Sequence, residues 1–72
     1  MRDKQVICIA LTVALRLTSQ FEDLKYLEYD DKSETVTARF EHGLTVIGVE
    51  ADSEYAMIRD IVDSLGGYRF GG

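Results

Sequence analysis

The middle of the chain alternates apolar and polar residues, and this pattern constrains the fold more than any other segment. Val36, Ala38 and Phe40 alternate with polar residues between an Asp30-Asp31-Lys32-Ser33 cluster and a His42-Gly43 pair. Successive side chains of a strand point to opposite faces of a sheet, and Asp, Ser and Gly favour turns. The pattern therefore predicts an antiparallel meander with strands at residues 24–29, 35–41 and 44–50.

The second turn sets the pairing of the last two strands. A two-residue loop at His42-Gly43 would place three pairs on one face of the sheet. These pairs are Phe40 with Thr45, Ala38 with Ile47, and Val36 with Val49. We expect this face to be the core.

A helix is predicted at residues 3–20, before the first strand. Its polar residues recur at steps of three and four and form one narrow stripe, made of Gln5, Cys8, Thr12, Arg16 and Ser19. Asp3 would complement the helix dipole at the N-terminus. The β-branched residues near the start leave a strand across residues 5–9 as an alternative.

A second helix is predicted at residues 53–65. Asp52 or Ser53 would cap it, and Gly66-Gly67 would end it. Its apolar stripe is expected to contain Tyr55, Ile58, Ile61, Val62 and Leu65.

The predicted architecture is α+β, in the order α-β-β-β-α. A three-stranded antiparallel sheet would carry both helices on one face. With 72 residues the chain has room for one domain. We assign residues 1–67 to that domain and residues 68–72 to a short C-terminal tail.

The first helix has more apolar surface than one sheet face needs. Only the thin polar stripe interrupts it, and Leu44 and Val46 add apolar groups to the outer face of the sheet. One interpretation is a surface for self-association or for another protein; the other is that the small core uses the whole helix. The predicted interface residues are Val6, Ile9, Val13, Leu17, Leu44 and Val46.

Acidic residues concentrate between residues 22 and 34, where only Lys25 and Lys32 oppose them. A solvated strand and turn explains them most simply, and an acidic face for a basic partner is the functional alternative. A calcium loop is disfavoured because the alternating D-x-D-x-D-G pattern is missing. The predicted acidic face consists of Glu22, Asp23, Glu28, Asp30, Asp31 and Glu34.

Composition excludes several classes of function. Eight basic and thirteen acidic residues give a net charge of −5, which argues against direct nucleic-acid binding. One cysteine and one histidine cannot complete a zinc site, and His42 has no Ser or Cys nearby in sequence that would form a nucleophile pair with it. Cys8 lies among aliphatic residues, where a thiol behaves as a small apolar group. We therefore expect no enzyme activity, no metal and no cofactor.

The N-terminal segment superficially matches a signal peptide, with charges at residues 1–4 and an apolar run at residues 6–15. Arg16 and Leu17 follow the run without a small-x-small cleavage site, and the run is too short to cross a bilayer. A core helix, no membrane and a cytoplasmic location are expected, since the single Cys8 fits a reducing compartment.

The sequence thus predicts a non-catalytic protein-interaction domain, either a homo-oligomer or a subunit or regulator of a larger assembly. The alternative is a small acidic inhibitor that blocks the basic site of a nucleic-acid-processing enzyme.

Overall fold

The computed structural model describes residues 3–50 and 52–70 of the chain. It has two helices and a three-stranded antiparallel sheet, which confirms the predicted order and fold class. The bounds are α1 Lys4–Arg16, β1 Leu24–Asp30, β2 Thr35–Phe40, β3 Gly43–Gly48 and α2 Glu54–Phe70.

Helix α1 begins at a side-chain cap and is shorter than predicted. The carboxylate of Asp3 accepts a hydrogen bond from the backbone N–H of Gln5 at 2.8 Å, as expected for an N-cap residue. Residues 5–9 are helical, so the strand alternative is wrong. After Arg16 the backbone turns extended at Thr18, and a short 3₁₀ turn at Ser19–Phe21 leads into β1.

The strands are paired in the order β1-β2-β3, and even-numbered positions of β2 face the core as predicted. Strand β1 changes register between Leu24 and Tyr26, where Lys25 is the extra residue. Because of this bulge Leu24 and Leu27 both point inward although they are three residues apart. The turn between β1 and β2 ends at Glu34, whose φ of 52° is a left-handed conformation.

The predicted register of β2 and β3 is wrong by two residues. Phe40 pairs with Gly43, and the two pairs before it are Ala38 with Thr45 and Val36 with Ile47. The tight loop is therefore Glu41-His42, and Gly43 belongs to the strand. The Tyr68 hydroxyl lies 3.2 Å from where a Cβ of Gly43 would stand, so Gly43 provides close approach and not a turn. A shift of two preserves the inward face.

Ser53 caps the start of helix α2, because its hydroxyl accepts a hydrogen bond from the N–H of Ala56 at 3.1 Å. The predicted stripe is rotated: Tyr55 and Val62 are exposed, whereas Met57 is fully buried with Ile61 and Leu65. Spacing of four residues places these three side chains in one row facing the sheet.

The predicted helix stop at Gly66-Gly67 is also wrong. Helix α2 continues through both glycines to Phe70. The propensity penalty of about 1 kcal/mol for each glycine is offset by packing of Tyr68 and Arg69 against the sheet. Gly71 and Gly72, the rest of the predicted tail, lie outside the described residues.

Both helices pack on the same face of the sheet, α1 at β1 and α2 towards β3. Leu11, Leu15, Phe21, Tyr29 and Ile58 pack partly buried against this core. The fully enclosed core consists of Ile7, Cys8, Leu24, Leu27, Val36, Ala38, Phe40, Ile47, Val49, Met57, Ile61 and Leu65.

Candidate interaction surfaces

Three residues of the predicted polar stripe, Gln5, Cys8 and Thr12, face the sheet, whereas Arg16 and Ser19 are exposed. Cys8 is fully buried, and Gln5 and Thr12 are half-buried against the free edge of β1. The Thr12 hydroxyl accepts from the N–H of Leu27 at 3.1 Å and donates to the carbonyl of Cys8 at 2.7 Å. An unpaired strand edge carries a row of backbone donors and acceptors, and the stripe provides partners for them.

Gln5 completes the cover of this edge with both ends of its amide. Its Nε2 donates to the carbonyl of Leu27 at 3.2 Å, and its Oε1 accepts from the N–H of Tyr29 at 2.9 Å. These are the two bonds that the N–H and C=O of one residue in a parallel neighbouring strand would make to residues two apart. The side chain therefore occupies the place of a fourth strand.

Cys8 acts as a small apolar residue. Burial raises the pKa of its thiol to about 11, because the apolar surroundings disfavour the thiolate. A protonated buried thiol is a poor nucleophile.

Because the polar stripe points inward, an apolar face of α1 points outward. We call this the helix surface and define it as Val6, Ile9, Ala10, Val13 and Leu17. The four large side chains are between 48% and 84% exposed, and Leu17 is the most exposed. The sheet and α2 thus use only part of the apolar circumference of α1.

Leu44 and Val46 form a separate apolar surface on the outer face of the sheet. They are 48% and 58% exposed and belong to β3, beside Arg39 and Thr37 of β2. The helix surface lies on the other side of the sheet, at β1. The six predicted interface residues are all exposed, but they do not form one continuous patch.

The predicted acidic face is only partly a free surface. Glu22, Glu28, Asp30, Asp31 and Glu34 are exposed, whereas Asp23 is half-buried and bonded to Arg69 at 2.6 Å. The Asp30 carboxylate also accepts from the N–H of Lys32, which stabilises the turn. An open depression beside the start of α1 is lined by Asp3, Lys4, Gln5, Glu28, Tyr29, Asp30 and Asp31.

A contact cluster at the C-terminal end of α2 was missed by sequence reasoning. The Tyr68 ring stacks on Phe40 with centroids 5.0 Å apart, and the Arg69 guanidinium lies 5.1 Å from Phe40 and 5.6 Å from Phe21. The carboxylate of Asp23, directly before β1, accepts a hydrogen bond from the same guanidinium. The alternating Tyr68-Arg69-Phe70 pattern after two glycines suggested a tail, so no signal marked these residues as helical.

Chemistry-bearing groups do not converge within residues 3–50 and 52–70. His42 is exposed in the Glu41-His42 loop, whereas Cys8 is buried in the core. No three His, Cys, Asp or Glu side chains of these residues are arranged to hold a metal ion. Neither described helix has the length and apolarity needed to cross a bilayer.

Comparison with protein-family models, curated proteins and solved structures finds no match to this chain.

Proposed function

We propose that this protein is a small non-catalytic interaction domain that pairs with a second copy of itself through the helix surface. The observation that carries the proposal is the outward orientation of Val6, Ile9, Val13 and Leu17. Contiguous apolar surface of this kind on a small domain favours association. The proposal includes the cytoplasm as the compartment, since Cys8 is a free thiol.

The spacing of the helix surface suits a helix-to-helix contact. Val6, Ala10, Val13 and Leu17 are separated by four, three and four residues, which is the spacing of a coiled-coil seam. In an antiparallel pair centred near Ala10, Val6 would lie opposite Val13 of the second copy. The same arrangement would bring Asp3 near Arg16 of the second copy, so that opposite charges flank the apolar contact.

The size of the helix surface predicts a weak dimer. Thirteen residues make a helix about 20 Å long and about 10 Å wide. One face of such a helix is smaller than the roughly 800 Å² per partner of a standard interface. We therefore expect dissociation in the micromolar range and not a permanent dimer.

Light scattering of the wild type and of Val13→Lys tests the proposal. The average mass of the wild type should rise from the chain mass of 8.1 kDa to at least twice that value between about 10 μM and about 1 mM. Val13→Lys should stay folded and have a lower average mass than the wild type at each concentration, because it puts a charge into the helix contact. Val62→Lys is the matched control, since Val62 is an exposed valine of the other helix. A wild type that stays monomeric throughout would contradict the proposal.

A second candidate function is an acidic inhibitor of a nucleic-acid-processing enzyme. The observation that favours it is the depression in which Glu28, Asp30 and Asp31 lie together. Carboxylates presented in this way attract a basic surface, and the attraction weakens with salt. Self-association through apolar side chains should survive 0.5 M salt, whereas binding to a basic partner should be lost.

A further inference from the structure

The two edges of the sheet are treated differently by the fold. At β1 the side chains of Gln5 and Thr12 bond to the backbone of Leu27 and Tyr29. At β3 no side chain within residues 3–50 and 52–70 hydrogen-bonds to the outward backbone groups. The N–H of Val49, just after β3, donates to the carbonyl of Glu34, just before β2. In an antiparallel pair every second residue bonds to the partner strand, so the odd-numbered residues of β3 bond to β2. The residues between them, Leu44, Val46 and Gly48, therefore point their N–H and C=O groups away from the sheet.

The β3 edge also lacks the features that prevent an edge strand from pairing with a strand of another chain. Its sequence, Gly43 to Gly48, contains no charged residue and no proline, and its pairing with β2 has no bulge. Natural edge strands are normally protected by lysine, proline, bulges or a covering element. An uncharged, regular edge with six exposed polar backbone groups matches another extended strand.

We propose that β3 is a second self-association site, at which the β3 strands of two copies pair antiparallel and extend the sheet to six strands. In the register with Val46 opposite Val46 of the second copy, Leu44 faces Gly48 of the second copy. Three pairs of residues would then exchange about six backbone hydrogen bonds. This proposal rests on the proposed function in one respect, that the chain associates with itself. The two proposals differ in the surface, the residues and the type of contact.

The uncharged β3 strand admits a second copy as the occupant, although the chain carries a net charge of −5. Six of the thirteen acidic residues, those of the acidic face, lie between residues 22 and 34, and β2 separates them from β3. In the six-stranded sheet the two β1 strands would be the outermost, about 24 Å apart at about 4.8 Å per strand. This distance exceeds twice the Debye length at physiological salt, so the acidic segments would hardly repel each other.

The residues that flank the strand add a polar contact in the same register. His42 would lie opposite Glu50 of the second copy, and the two-fold axis repeats the contact. Growth would stop at six strands, because Gln5 and Thr12 cover both outer edges. Pairing at β3 therefore gives a closed dimer and not a fibre.

Sedimentation velocity of four full-length proteins separates this site from the helix surface. We expect Val13→Lys to form a dimer through β3, Val46→Lys to form a dimer through the helix surface, and the double variant to be monomeric. The wild type, with both sites, should exceed a dimer at the highest concentration. Tyr26→Lys is the matched control, because it adds the same charge to the outer face at the covered edge.

The outcomes distinguish the two proposals. If Val46→Lys sediments like the wild type while Val13→Lys is monomeric, the β3 site is wrong and the helix surface stands. If Val46→Lys is monomeric while Val13→Lys sediments like the wild type, the helix surface is wrong and β3 stands. Amide hydrogen exchange of the wild type gives a reading that needs no variant. Leu44, Val46 and Gly48 should gain at least tenfold protection as concentration rises, and no gain would overturn the β3 site.

Discussion

Strands β1 and β3 are both edge strands of one sheet, and they differ in what satisfies their backbone. A glutamine and a threonine of α1 bond to the edge of β1, whereas the described residues leave the edge of β3 open. The cover of β1 determines how α1 is rotated about its axis. Because its polar stripe must reach β1, Val6, Ile9, Val13 and Leu17 turn outward. A polar stripe on a helix is thus not by itself a solvent-facing stripe.

The largest expected effect tests this rotation of α1 within a single helix. Ile7 and Ile9 are the same residue type two positions apart, and they are 2% and 56% exposed. Ile7→Ala should lower the free energy of unfolding by about 2–5 kcal/mol, because it leaves a cavity in the core. Ile9→Ala should change it by about 0.5 kcal/mol or less in dilute protein. Urea unfolding followed by circular dichroism measures both, and equal losses would mean that α1 is rotated differently.

The second effect concerns the last turn of α2, which packs against Phe40 of β2. Truncation after Gly67 removes the Tyr68 stack on Phe40 and the Arg69 contact with Asp23. Loss of apolar burial, of the aromatic pair and of a half-exposed ion pair should together destabilise the fold by about 2–3 kcal/mol. A thermal melt within a few degrees of the full chain would show that residues 1–67 fold independently, as the predicted domain boundary requires.

The third effect tests the cover of the β1 edge directly. Gln5→Ala leaves the carbonyl of Leu27 and the N–H of Tyr29 without their partners, and should lower the free energy of unfolding by about 2 kcal/mol. Thr12→Val, which keeps the shape but loses the acceptor for Leu27, should cost about 1 kcal/mol. Gln20→Ala is the matched control, because Gln20 is exposed. A Gln5 variant as stable as the control would show that water satisfies the edge equally well.

The smallest effect concerns Cys8, which lies between Gln5 and Thr12 in the stripe. Its pKa is raised to about 11 in the folded protein, against 9.0 for the free thiol. Between these values the unfolded chain has lost the proton and the folded chain has kept it, so rising pH favours unfolding. The stabilisation is complete below about pH 9 and lost by about pH 11, with about 1 kcal/mol gone at pH 10.

Urea unfolding at pH 8 and pH 10 measures this change, with Cys8→Ala as the reference for all other titrating groups. The wild type should lose more stability than the variant over this interval. Equal losses would mean that the thiol ionises freely and is not enclosed between α1 and the sheet.

The sequence predicted the parts of the fold that depend on local pattern. Alternation at Val36, Ala38 and Phe40 identified the inward face, and Ser53 identified the start of α2, because strand period and helix caps are encoded by neighbouring residues. The exposure of the predicted interface residues also follows the prediction. Whether they form an interface stays a prediction, as does the role of the acidic segment.

The features that failed depend on contacts between distant residues. Gly66-Gly67 ends a helix by local preference, but Tyr68 and Arg69 pack on Phe40 and carry the helix onward. The loop lies at Glu41-His42 instead of His42-Gly43, and Gly43 in the strand allows the close approach of the Tyr68 hydroxyl.

The sequence predicted the polar stripe but not the partners of its side chains. Its period was correct, but the period does not say which partner its hydrogen-bonding groups meet. Gln5 and Thr12 are placed inward by the unpaired edge of β1, which lies more than ten residues away in sequence. A helix before an edge strand is therefore the case in which a stripe of Gln and Thr should be tested as a cover for that edge.

Amide hydrogen exchange at the two sheet edges tests whether α1 covers β1 while β3 is open. The measurement uses the doubly substituted Val13→Lys, Val46→Lys chain, so that association protects neither edge. The N–H groups of Leu27 and Tyr29 should exchange at least tenfold more slowly than those of Leu44 and Gly48, because only the first pair is hydrogen-bonded. Equal rates at the two edges would contradict the account, since α1 would then not hold the β1 edge.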